Sequence, residues 1–334
     1  MAETLLQLKD VARTFDVSPP WLDRVLERKP RALLKAVDGV SLGIVAGETL
    51  GLVGESGCGK STVARLIVGL YTPTRGAIEF DGAVVAGDGA LDRTAQRAAR
   101  RGMQMIFQDP YASLNPRWRV QNVIAEPILA QSPAMPRAEV AARVAVLLGP
   151  VGLAKVDGAK YPHQFSGGQR QRISIARALS TQPRFLICDE PTSALDVSVQ
   201  AQVLNLMREL QHRLGLTYLI ISHNLAVIHH IADRVGVMYL GRIVELAPTK
   251  RLFAAPRHPY TRMLLAAVPD LAMTGRARTA VAGEVPNPLD PPAGCAFHPR
   301  CPYAMDRCRR ETPLLKPVRD GGEVACHAVE EDRL

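Results

Sequence analysis

The stretch Gly54-Glu55-Ser56-Gly57-Cys58-Gly59-Lys60-Ser61-Thr62 decides how the chain is read. It lies between an apolar run of strand character, Thr49 to Val53, and a run of helical character, Val63 to Leu70. Its spacing fits G-x-x-x-x-G-K-[ST] in the strand-loop-helix setting that a P-loop requires. Glycines let successive backbone N–H groups curl towards an anion, and the positive end of the following helix adds to the field. Lys60 is placed to neutralise the β- and γ-phosphates of a nucleotide, and Ser61 to ligate Mg²⁺. The competing reading is a glycine-rich turn that binds nothing, and a match this complete in this setting argues against it.

Working outward, 334 residues leave room for two domains and a sizeable core. Hydrophobic content of 47% and charged content of 22% are those of an ordinary globular protein. The first residues carry Glu3 and Asp10 without a long apolar core, and no uninterrupted apolar run reaches about 18 residues, so neither a signal peptide nor a membrane span is expected. The formal charge of +9 suits nucleic acid or anionic headgroups without choosing between them. The densest basic stretch, Arg93, Arg97, Arg100 and Arg101, reads as a solvated helical face, and no nucleic-acid partner is expected.

Leu5 to Phe15 and Ala36 to Ile44 read as strands separated by a surface loop around Pro19, Pro20 and Trp21. Phe15 either stacks on an adenine or closes a strand end. Ala77 to Phe80 and Met103 to Phe107 read as short strands, the second running into Gln108. Helical patterns at Val120 to Leu129 and Arg137 to Leu148 then suggest a helical insert in an α/β core. Ser166-Gly167-Gly168-Gln169 precedes the helical pattern Arg170 to Ser180; it is either an anion site or a capped helix start. Phe185 to Cys188 is a buried parallel strand ending in Asp189 and Glu190, where ligands bind in open α/β sheets. There Asp189 suits the Mg²⁺ shell and Glu190 a general base orienting water. A further strand, Tyr218 to Ile221, ends at Ser222-His223, and His223 is either structural or a γ-phosphate contact.

With the P-loop, Gln108, SGGQ, the acidic pair, Ser193-Ala194-Leu195-Asp196 and Ser222-His223 in this order, the chain resembles the ATPase subunit of an ABC transporter. MIFQDPYASLNPR, YPHQFSGGQRQR, HPYT and GCAFHPRCPYA resemble the dipeptide/oligopeptide importers, in particular the second of their two ATPase subunits. The resemblance implies an α/β P-loop NTPase core, a mixed sheet with helices plus a helical subdomain at about 109–180, spanning 1–247. It also implies a small cysteine-rich extension over 248–334. Two such domains would pair head to tail, with ATP between Gly54 to Thr62 of one and Ser166, Gly167, Gly168 and Gln169 of the other. Gln108 would sense the γ-phosphate and join Ser61 and Asp189 around Mg²⁺, Glu190 and His223 would act in hydrolysis, Asp196 would link the two sites, and Phe15 would take the adenine. Asn224 stands where these proteins usually carry Asp, with modest effect expected. The implied partners are two transmembrane permease subunits, a sister ATPase in a heterodimer and an extracytoplasmic peptide-binding protein. The implied location is the cytoplasmic face of the inner membrane, held there by the permeases.

Cys295, Cys301, Cys308 and Cys326 have five, six and seventeen residues between neighbours. Paired structural-zinc spacing is absent, and looser loops suit an iron-sulfur cluster, with zinc, unligated thiols or disulfides as the alternatives. The resemblance points to [4Fe-4S]. Against the importer reading stand a soluble ABC-type ATPase acting on ribosomes or DNA and a cluster-dependent regulator. One P-loop, one SGGQ and no long heptad pattern favour the importer.

Overall fold

The computed structural model describes residues 3–27, 30–87, 93–267 and 283–334. In chain order the strands are β1 (Thr4–Asp16), β2 (Leu33–Val45), β3 (Thr49–Val53), β4 (Arg75–Phe80), β5 (Ala83–Ala86), β6 (Met103–Ile106), β7 (Phe185–Asp189), β8 (Thr217–Ile221), β9 (Arg234–Tyr239), β10 (Arg242–Pro248), β11 (Lys316–Pro317) and β12 (Glu323–Val324). The helices are α1 (Trp21–Glu27), α2 (Lys60–Ile67), α3 (Arg93–Gly102), α4 (Pro110–Ser113), α5 (Val120–Gln131), α6 (Arg137–Leu148), α7 (Gly167–Leu179), α8 (Val197–Leu214), α9 (Leu225–Ile231), α10 (Thr249–Ala254), α11 (Pro259–Ala266), α12 (Asp306–Arg310) and α13 (His327–Glu330).

Two sheets carry the fold. One is antiparallel, in the order β2-β1-β4-β5; the other is mixed, in the order β11-β12-β10-β9-β3-β8-β7-β6. Strands β9, β3, β8, β7 and β6 run parallel, while β10 and β12 add antiparallel at one side. All five residues of β3, β7 and β8 are buried, as the continuous apolar runs TLGLV, FLICD and TYLII require of strands covered on both faces. One apolar cluster packs β3, α2 and the antiparallel sheet together, and a second joins α5, α6, α7, α8 and α9 to the other face. Parallel strands with right-handed crossovers end at one edge, so the segments after β3, β6, β7 and β8 meet there.

The segment expected to be a loop at Pro19 to Trp21 contains a helix, α1, with Trp21 largely exposed. Helix α3 bears out the basic helical reading, with Arg97, Arg100 and Arg101 exposed; the side chain of Arg93 lies outside the described residues. Residues 268–282 of the expected extension also lie outside them. The chain from residue 283 returns to the core: Val324 of β12 pairs with Glu245 of β10. Glu245 is fully buried, bonded to Arg251 and accepting from the N–H groups of Arg257 (3.0 Å) and His258 (2.9 Å). A buried carboxylate satisfied in this way fixes the turn between α10 and α11.

Candidate functional site

The P-loop is held in shape by close backbone approaches. Gly54 (φ +153°) and Gly59 (φ +108°) turn where a Cβ would stand 2.2 Å from the carbonyl oxygens of Met238 and Ala36. Only glycine fits those two positions. Lys60 opens α2 and is buried; its Nζ donates to the carbonyls of Gly54 (2.7 Å) and Glu55 (2.9 Å). The lysine thus closes the loop that carries it. Cys58 packs inward, and burial pushes its thiol up, away from nucleophilic thiolate character.

At the ends of β6, β7 and β8 the acidic pair divides its work. Ser61 Oγ donates to Asp189 Oδ1 at 3.0 Å, and burial pushes the Asp189 carboxyl up. That leaves a buried acid and a hydroxyl on one side of the loop, a donor set that suits a hard cation such as Mg²⁺. The next residue, Glu190, takes a positive φ of 49° and donates its N–H to Ile221 O at 2.9 Å. This turn aims the carboxylate sideways, where it accepts from Gln108 Nε2 (2.9 Å) and meets His223 Nδ1 (3.0 Å). Three residues from three strand ends are therefore joined at one carboxylate. Asn224 caps α9, accepting from the Ala226 N–H at 3.0 Å. An amide oxygen serves that cap as an acid would.

A cavity of about 700 Å³ opens over these groups, lined by Lys60, Ser61, Gln108 and Glu190 and walled by Phe15 and Ala36. Phe15 packs edge-on to Tyr71, with ring centroids 5.2 Å apart, and carries the Arg13 guanidinium 4.7 Å from its centroid. It thus both closes a strand end and borders the cavity.

Among the described residues, Ser166 to Gln169 and Asp196 do not line that cavity. They lie together elsewhere. Ser166 and Gln169 form a capping box at the start of α7, Ser166 Oγ accepting from the Gln169 N–H (3.3 Å) and Gln169 Oε1 from the Ser166 N–H (3.1 Å). Gly168 lies against α8, where a Cβ would stand 2.3 Å from Val199 Cγ1. Asp196 caps α8; the Val199 N–H and then the Ser198 hydroxyl hold its carboxyl below the usual range. The capped-helix reading of SGGQ is thus present, and the residues of this patch are not among those that line the chain's own cavity.

The expected metal site in the tail is not assembled. Among the described residues no group of three or more His, Cys, Asp or Glu is arranged to hold a metal ion, and all four tail cysteines are free. They are nonetheless close enough to feel one another. Burial first, then the neighbouring thiols, push Cys295 up to about 12, and Cys301 and Cys326 rise for the same reasons.

The match to known families follows this division. The family described as "ABC transporter" matches residues 37–193, and "Oligopeptide/dipeptide transporter, C-terminal region" matches residues 244–308. The Di/tripeptide transport ATP-binding protein DppF of Pseudomonas aeruginosa is 48% identical, over 98% of this chain and 99% of that protein. The Oligopeptide transport ATP-binding protein AppF of Bacillus subtilis is 48% identical over 97% of each. The chain belongs to the peptide ABC transporter ATP-binding proteins. This ABC ATPase also shares its fold with solved cassettes. The dimeric post-hydrolysis cassette MJ0796, bound to ADP and Pi, is 27% identical with a TM-score of 0.62 over 73% of this chain and 99% of that one. CbiO1 of Clostridium perfringens, part of the cbiONQ complex, gives 27% and 0.62 over 76% and 92%.

Several residues of this ABC ATPase that border the cavity were not singled out from sequence. Lys35, Asp38, Arg242 and a turn from the tail, Pro288 to Gly294, all reach it. Tyr260 and Arg300 touch the P-loop itself, and both belong to phrases, HPYT and GCAFHPRCPYA, that the sequence reading noted without a task for them.

Proposed function

We propose that this subunit hydrolyses ATP to power uptake of di- or oligopeptides through two permease subunits fed by an extracytoplasmic binding protein. The observation that carries the proposal is the Glu190 carboxylate, held between Gln108 and His223 beside Lys60 and Ser61. In that place Glu190 acts as the base that orients attacking water, Gln108 reads the γ-phosphate and His223 steadies the developing charge. Ser61, Asp189 and Gln108 are the residues to hold Mg²⁺, which when bound offsets charge on the β- and γ-phosphates. Phe15, at the cavity wall, is the residue to stack on the adenine.

Residues 1–247 act as the ATPase domain, with a helical subdomain at about 109–180, and 248–334 as the extension docked on β10. Half of the nucleotide's surroundings come from a second ATPase: Ser166 to Gln169 and Asp196, outside the chain's own cavity, face the partner's. The dimeric cassette among the structural relatives supports a pair, and a sister ATPase is the partner proposed. Attachment at the cytoplasmic face through the permeases rests on the family; among the described residues no helix is long and apolar enough to cross a membrane. The peptide class rests on the names of the relatives, and the ribosome- or DNA-acting alternative finds no support among them. For the four cysteines a [4Fe-4S] cluster rests on the resemblance of the tail alone and on no assembled site; iron and sulfide analysis of anaerobically purified protein tests it, and thiols titrating with neither present reject it.

Hydrolysis measured in lipid, with the permeases, the sister ATPase and loaded binding protein, tests the central reading. Glu190→Gln is expected to lower this subunit's share at least a hundredfold. No complex with the permeases, or hydrolysis stimulated by nucleic acid or ribosomes instead, rejects transport.

A further inference from the structure

Glu55, the second residue of the P-loop, has three of its groups engaged. Its N–H donates to Tyr260 Oη at 2.9 Å, and its carbonyl accepts from Lys60 Nζ at 2.9 Å. Its carboxylate takes both terminal nitrogens of Arg300, at 2.8 and 3.1 Å. Two of these partners lie far along the chain: Tyr260 is separated by 205 residues and Arg300 by 245. Arg300 ends the turn His298–Arg300, and its side chain is only 3% exposed. Its guanidinium stands 5.9 Å from the Phe297 ring, which with Tyr239 and Tyr260 forms an aromatic cluster at centroid separations of 4.6, 5.3 and 5.5 Å. The same segment supplies Pro288, Pro291, Pro292 and Gly294 to the wall of the nucleotide cavity. The C-terminal segment thus grips the residue whose carbonyl holds Lys60.

We propose that Arg300 and Tyr260 are positioning residues that hold the P-loop in its nucleotide-receiving shape from the C-terminal segment. The proposal rests on the reading of Gly54 to Thr62 as the ATP-binding loop. A shielded, bidentate guanidinium-carboxylate pair fixes direction as well as distance, and a hydroxyl on the adjacent N–H removes the remaining freedom of that residue. Ordering a loop before the ligand arrives lowers the free energy that binding must otherwise supply. Loss of the brace therefore falls on ATP affinity more than on turnover at saturating ATP. Its effect on nucleotide runs through Glu55, so a change at Arg300 should add little further loss of affinity once Glu55 has lost its charge.

The test is titration calorimetry of MgATP into the full chain, with thermal melts alongside, for wild type, Arg300→Gln, Arg300→Lys, Tyr260→Phe, Glu55→Gln and the Glu55→Gln/Arg300→Gln pair. A role in stability alone lowers the melting temperature and leaves the affinity of the folded protein untouched. The expected losses are about tenfold for Arg300→Gln and about threefold for Tyr260→Phe, with partial recovery in Arg300→Lys. The double variant is expected to bind no more weakly than the weaker single one. Should Arg300→Gln fail to fold, Tyr260→Phe, which changes volume little, decides the matter. Wild-type affinity in a folded Arg300→Gln or Tyr260→Phe protein overturns the proposal, as does a double loss equal to the product of the single losses. Absence of ATP binding by the wild type overturns it along with the nucleotide reading, and is distinguished by that alone.

Discussion

Asp189 stands almost entirely out of water at the end of β7, with the Ser61 hydroxyl against Oδ1. Burial favours its protonated form, so its pKa in the folded chain lies above that in the unfolded chain. For an acid shifted in this sense the folded state binds the proton more tightly. Stability from this group rises as the pH falls through the raised folded value, and at neutral pH the charge subtracts from stability. Asp189→Asn keeps the acceptor for Ser61 and removes the charge. In the absence of Mg²⁺ and nucleotide at pH 7 this variant is expected to melt higher than wild type, by roughly 2 to 4 °C for each kcal/mol relieved. Stabilisation of the variant by MgATP should be reduced at the same time. A lower melting temperature with undiminished MgATP stabilisation would count against both halves of the argument.

His258 caps the start of helix α11, its Nδ1 accepting from the Tyr260 N–H at 3.0 Å while the residue itself is fully buried. Burial pushes the imidazole down from 6.5 to about 3, so the folded chain keeps it neutral. A depressed histidine contributes stability that is present above the unfolded value and is lost as the pH falls through 6.5 towards 3. Between pH 7.5 and 5 that loss is about 2 kcal/mol. His258→Asn supplies a good cap without a titrating group, so chemical denaturation of the variant should show a pH dependence shallower by about this amount. Equal slopes in the two proteins reject the assignment. Elements such as β3, β7, β8 and α7 were legible because each spells its own pattern: an apolar run ending in a motif, or a capping box before a helical period. Helix α1 was not, since seven residues beside two prolines show too little periodicity. Nor were β11 and β12, two residues each, which exist only because β10 offers them an edge. The motifs placed Gln108, Glu190 and His223 at strand ends that do meet, whereas the contact of Arg300 with Glu55 is made by packing of distant segments and leaves no local trace.

At the scale of the whole molecule, the SGGQ patch lies outside the cavity among the described residues, and on the proposed reading the two are halves of two sites, not one. Lys60, Ser61, Gln108 and Glu190 surround one side of the cavity, and Ser166 to Gln169 present a helix start that none of them reaches. On the proposed pairing, a nucleotide in the cavity would offer its γ-phosphate to the helix start of another ATPase, so ATP would raise the affinity of the pair by mass action. On the same reading hydrolysis would remove the charge that joins them, and Glu190→Gln would keep it in place. With MgATP, the Glu190→Gln chain mixed with an equally disabled sister ATPase is expected to sediment as a one-to-one dimer, and with MgADP as two monomers. Ser166→Arg in this chain should weaken that dimer, since a cation and a large side chain then occupy the helix start meant for the sister's nucleotide. Its own cavity is untouched by the change, so MgATP binding to the isolated subunit should persist. If the Glu190→Gln chain instead doubles its mass alone at the same nucleotide concentration, the pairing is between like copies and the sister ATPase is not needed to complete the site. If neither mixture nor single chain associates with MgATP, the SGGQ patch serves the fold of α7 alone and the shared-nucleotide mechanism fails.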